Sequence, residues 1–126
     1  MLNRLRRLFG LGPRLPRLEL TSEGFIIHYA GFPWASLEVR WAKVREIRAR
    51  RDGTPACNEI RLRFKFAPGK IVGESISETW PGFAAVRSAM ESSLALDLPD
   101  WWRQVAELDL SGKELVVYQR PPTGAA

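Results

Sequence analysis

The sequence predicts an α+β domain in which strands come first and helices late. Three observations carry that prediction. Between residues 17 and 77 the chain offers short segments of alternating or β-rich character separated by turn residues. From residue 80 onward the apolar residues change to helical spacing. A chain of 126 residues, 45% hydrophobic and 26% charged, is one globular domain's worth and lies outside the disordered range.

The strand segments follow closely on one another. "RLEL" (17–20) alternates, "TSEG" (21–24) has turn composition, and "FIIHYA" (25–30) is rich in β-formers. "GFP" (31–33) breaks the run, and "SLEVRW" (36–41) sets Leu37, Val39 and Trp41 on one side. In "VREIRAR" (44–50), Ile47 and Ala49 face one way while Glu46, Arg48 and Arg50 face the other. Residues 51–58 are expected to form a loop, with Asp52-Gly53 and Pro55 as turn chemistry. "EIRLRFKF" (59–66) is the most regular segment, because Ile60, Leu62, Phe64 and Phe66 alternate with the cations Arg61, Arg63 and Lys65. "APGK" (67–70) turns the chain, and "IVGESIS" (71–77) offers a weaker sixth strand.

A helix is predicted within "WPGFAAVRSAMESSL" (80–94), where Phe83, Val86, Met90 and Leu94 share a face and Pro81 sits near the first turn. A second, within 97–108, has Pro99 early and Trp101, Val105 and Leu108 on one face. After Ser111-Gly112, "ELVVYQ" (114–119) reads as a last strand. The organisation is then a basic arm over 1–16, one domain over 17–120 and a disordered tail over 121–126.

Six or seven short antiparallel strands would bend into a partial barrel whose open end one or two C-terminal helices plug. That plan resembles the pleckstrin-homology-like superfold, which includes GRAM-type modules. The C-terminal half is similar to a group of short bacterial proteins with a "PGF" or "PGW" helix start, an "LP…WW…V" second helix and an aromatic-bearing final strand. The matching positions are Trp80, Pro81, Gly82, Phe83, Leu98, Pro99, Trp101, Trp102, Val105 and Tyr118. The resemblance implies a fold and brings no activity with it.

Charge is segregated along the chain. The net +5 comprises +5 over residues 1–17, −3 over 18–39, +7 over 40–70 and −4 over 71–126. If residues 44–50 pair antiparallel with 59–66, then Arg48, Arg50, Arg61, Arg63 and Lys65 share one sheet face. Opposed cations repel by a few tenths of a kcal/mol per pair, and Glu46 and Glu59 relieve only part of that. Such a face suits capture of an anion, foremost an acidic protein partner, with Trp34 and Trp102 as apolar anchors. The bland alternative is a solvated outer face that discourages aggregation. Self-association through a sheet edge also fits. Nucleic acid is disfavoured, because Phe64 and Phe66 alternate with the cations and cannot stack bases on their side.

Two rival functions come from other classes. In the arm, Leu2, Leu5 and Phe9 recur at helical spacing among Arg4, Arg6 and Arg7, which suits peripheral contact with an anionic membrane. An inhibitor or toxin-immunity role would need only a shaped surface. Catalysis lacks a recognisable residue set. The lone His28 and the lone Cys57 are 29 positions apart, and G-x-S-x-G, H-E-x-x-H, Walker and G-x-G-x-x-G motifs are missing. A single cysteine and a single histidine imply neither a disulfide nor a metal or cofactor site. The N-terminus lacks the apolar block of a secretory signal, so the expected location is the cytoplasm, with the inner membrane face as an alternative.

Overall fold

The computed structural model describes residues 15–29, 35–66 and 74–121. Among the described residues are seven strands and two short α-helices: β1 (Arg17–Leu20), β2 (Gly24–His28), β3 (Ser36–Arg40), β4 (Glu46–Thr54), β5 (Cys57–Lys65), β6 (Glu74–Ser77), α1 (Phe83–Ser93), α2 (Trp101–Ala106) and β7 (Leu115–Gln119). A 3-10 turn at Trp41–Lys43 links β3 to β4. The α+β class stands. The strands form two open antiparallel sheets, ordered β1-β2-β3 and β6-β5-β4-β7, and no closed barrel.

Each sheet turns one face to a shared core, because alternation places every second side chain on the same side. In β5 Ile60, Leu62 and Phe64 are buried, as are Ile47 and Ala49 in β4 and Phe25 and Ile27 in β2. The two sheets meet through an aromatic group. Phe25 packs edge-on against Phe64 with ring centroids 5.4 Å apart, and Trp41 lies 5.4 Å from Phe25 and 6.5 Å from Phe64. Aromatic pairs in these tilted arrangements add to the gain from burial alone.

The helices cover this core from different sides. α1 presents Phe83, Val86 and Met90 to β1 and β2, while α2 buries Trp101 and Val105 and lies beside β4. Both helices are shorter than the periodic segments that foretold them, since Pro81-Gly82 and Pro99-Asp100 remain outside as turns. Gly82, at φ 91°, starts α1 in the left-handed region that glycine enters without penalty. It also lets the chain pass close to β1, where the Leu18 N–H donates to the Pro81 carbonyl at 2.8 Å.

One further expectation is corrected. Residues 51–58 are not a loop: the β4 and β5 ladder continues to Thr54 opposite Cys57, leaving only Pro55 and Ala56 as the turn. Asp52, Gly53, Asn58 and Glu59 alternate nothing apolar, because this end of the hairpin has water on both faces, and the period that identifies a strand is therefore lost there. The last strand returns to pair with β4, with a bulge at Ile47/Arg48. Leu2, Arg4, Leu5, Arg6, Arg7, Phe9 and Trp34 lie outside the described residues, as do 122–126. Among the described residues, no helix is long and apolar enough to cross a membrane.

Candidate functional site: a cationic sheet face

The β4–β5 register pairs Arg48 with Arg63, Arg50 with Arg61 and Glu46 with Lys65. These residues therefore share the outer face of the four-stranded sheet, while Phe64 turns wholly inward. The structure brings all five sequence-identified cations together. Their side chains are between 23% and 34% exposed, so the stems lie along the sheet and the charged heads reach water.

The acids on this face are more numerous than alternation suggested. Glu46 accepts from Arg48 Nε at 2.9 Å and lies 3.2 Å from Lys65 Nζ. Arg48 holds the Glu46 carboxyl below the usual range against the opposing effect of burial, with Lys65 assisting. Glu59 accepts from Arg61 Nη1 at 2.9 Å and from the hydroxyls of Ser77 and Thr79. Burial pushes the Glu59 carboxyl up, but the hydrogen bonds from Ser77, Arg61 and Thr79 together bring it below the ordinary value. Asp52 is 3.8 Å from Arg50.

The sequence reading missed Glu114. It accepts from Arg63 Nη2 at 2.6 Å, and its oxygens lie 3.8 Å from Arg48 Nη1 and 3.6 Å from Arg50 Nη1. One carboxylate thus serves three guanidinium groups. It reaches them because β7 returns to β4, a contact spanning 51 positions between Arg63 and Glu114 that no local pattern announces. Five cations facing Glu46, Asp52, Glu59 and Glu114 leave one positive charge in excess. The surface is a lattice of ion pairs, each worth little where water reaches it.

Trp80, which follows β6, is a second residue the sequence reading did not place here. The Arg61 guanidinium carbon lies 5.6 Å from its ring centroid, so an aromatic borders the cationic face. Trp102 belongs elsewhere. Half-buried, it stands edge-on to Trp101 at 5.3 Å, lies 5.9 Å from Phe83, and has the Arg87 guanidinium 4.1 Å above its ring. Its surroundings form an open groove of about 320 Å³ lined by Glu78, Phe83, Ala84, Arg87, Glu91 and Trp102.

The lone histidine and the lone cysteine stand on different sheets. His28 Nε2 sits 2.7 Å from Glu19 Oε1 across the β1–β2 pair. Cys57 is an exposed free thiol at the hairpin tip. A hollow of about 450 Å³ lies between Trp41, Leu94 and Tyr118. On its wall Arg120 donates to the carbonyls of Ala42 and Trp41, and Asp97 accepts from the Gln119 N–H. Among the described residues, no three of His, Cys, Asp or Glu are grouped to hold a metal ion. In comparisons with protein-family models, curated proteins and solved structures, nothing matches this chain.

Proposed function

We propose that the chain is a non-catalytic, cytoplasmic binding module of pleckstrin-homology-like plan that captures an acidic protein partner on the outer face of its four-stranded sheet. The observation that carries this reading is the pairing of Arg48 with Arg63 and Arg50 with Arg61, next to Lys65, on a single sheet face. Like charges directly opposed across strands repel, and the acids of the face leave one cation uncompensated for an anionic partner to balance. The likeness to the superfold draws support from two packed antiparallel sheets with helices following the sixth strand.

With one excess charge, long-range attraction is modest, and recognition falls to short-range geometry. Guanidinium groups offer paired donors that match carboxylates, which favours Arg48, Arg50, Arg61 and Arg63 over a diffuse lysine patch. Trp80 and the aliphatic arginine stems supply apolar contact beside them, while Trp102 would anchor a partner only if the contact reached the helices.

A pull-down from cell lysate comparing wild type with an Arg61→Glu/Arg63→Glu variant tests the reading. Partners of low isoelectric point should appear with wild type, elute at raised salt and vanish from the variant, provided both proteins show the same circular dichroism. Identical partner sets for the two proteins would remove the cationic face from the function.

A further inference from the structure

Resting on the reading just given, and deepening it, we infer that the Glu114 carboxylate occupies the seat of a ligand carboxylate, so that the face takes an extended acidic peptide by exchanging its own glutamate for the ligand's. The chemistry of the seat is visible in its present occupant. Both Glu114 oxygens face guanidinium groups, with Arg63 hydrogen-bonded and Arg48 and Arg50 at 3.8 and 3.6 Å.

Two donors in the cluster are under-partnered. Arg50 makes no hydrogen bond among the described residues, its nearest carboxylates being Glu114 at 3.6 Å and Asp52 at 3.8 Å. Arg63 Nε is buried and has no acceptor. A planar guanidinium carries five N–H donors, so one carboxylate cannot satisfy three of them. The cluster therefore has donors left for a second acceptor or a better-placed one.

Glu114 is also delivered by a part of the chain that can release it. It precedes β7 instead of lying within it, and it follows the exposed Ser111, Gly112 and Lys113. Gly112 has φ 88° and nothing within 4 Å of where a Cβ would stand. Glu114 itself has no partner residue in the β4–β7 register.

The spacing of the cations selects the ligand. Arg48 and Arg50 are alternate residues of β4, and Arg61, Arg63 and Lys65 are alternate residues of β5. Alternate residues of a strand stand about 6.7 Å apart, which is also the repeat of side chains on one side of an extended peptide. Carboxylates at every second position of such a peptide meet successive guanidinium groups, whereas a compact phosphate meets one cluster.

Fluorescence anisotropy with a labelled peptide alternating glutamate and threonine tests the exchange. Wild type should bind it with strong salt dependence, Glu114→Gln should bind roughly tenfold tighter, and a peptide of equal composition with its glutamates in one block should bind about threefold more weakly. Equal or weaker binding by Glu114→Gln, with loss of binding in Arg61→Glu/Arg63→Glu, overturns the exchange and leaves the cationic face standing. No binding by either wild type or Glu114→Gln, or binding untouched by the arginine substitutions, overturns both. If inorganic pyrophosphate displaces the labelled peptide at lower concentration than the unlabelled peptide does, the seat belongs to phosphate and the peptide assignment falls. Should Glu114→Gln fail to fold, Glu114→Asp, which withdraws the carboxylate by one methylene, should give an intermediate gain, and no gain in a folded Glu114→Asp protein overturns the exchange.

Discussion

Gly82 and Gly112 have nearly the same backbone, φ 91° and φ 88°, in different surroundings, which makes them a matched pair for testing how α1 is fastened to β1. A Cβ added at Gly82 would stand 2.1 Å from the Leu18 carbonyl oxygen, while one at Gly112 would meet nothing within 4 Å. Gly112→Ala should therefore cost only the left-handed backbone, about 1 kcal/mol. Gly82→Ala bears the same cost and must also push β1 away by close to an ångström, which breaks the bond from Leu18 to Pro81. Loss of that bond and the overlap bring the total to about 3–5 kcal/mol. For a domain of this size a kcal/mol moves Tm by about 3–5 °C, so Gly82→Ala should melt at least ~10 °C below wild type and Gly112→Ala within ~5 °C of it. Differential scanning calorimetry of the three proteins measures this directly. Equal losses at the two positions would show that the close approach between helix start and first strand contributes nothing.

Acid should loosen the cationic face. Glu46 and Glu59 hold their protons less tightly in the fold than in the unfolded chain. The stability they supply is thus complete above the ordinary glutamate value and lost as pH falls through their lower folded values. Urea unfolding should show stability declining between about pH 5 and pH 3, with a flatter decline in a Glu46→Gln/Glu59→Gln variant; an identical slope would refute the assignment. At the alkaline end, Tyr29 donates to Glu74 at 2.9 Å, and burial together with that carboxylate pushes its hydroxyl up to about 12. Its contribution is complete below the ordinary tyrosine value and disappears as pH rises through about 12, so an ultraviolet titration should show a late phenolate component that Tyr29→Phe removes. Arg87→Ala should cost about 1 kcal/mol and shift tryptophan emission to the red, because the guanidinium shields the Trp102 ring; unchanged emission would place that ring's environment elsewhere.

The cationic face was legible because β5 alternates without interruption, and a period of two fixes both the buried set and the residues opposite β4. Once Phe64 points inward, Arg61, Arg63 and Lys65 can only point outward. Trp101 and Trp102 were legible for a related reason: neighbours on a helix diverge by about 100°, so one is buried and the other stays at the margin. Glu114 was not legible. Nothing in "GKELVV" states that the strand will come back to β4, since that choice is made by the whole core and not by local pattern. The projecting end of the β4–β5 hairpin escaped for lack of an apolar face, and Trp80 was noticed as part of a helix-start pattern when its ring in fact lies over Arg61.

The return of β7 to β4 also orders events during synthesis. The edge of β4 that runs past Ile47 and Ala49 emerges from the ribosome well before its neighbour, residues 115–119. Until then the edge of β4 shows unpaired ladder donors and acceptors, the kind to which other chains add. β7 then covers the edge of a nine-residue strand and presents a five-residue edge in its place, so a form lacking β7 should associate more readily than one that has it.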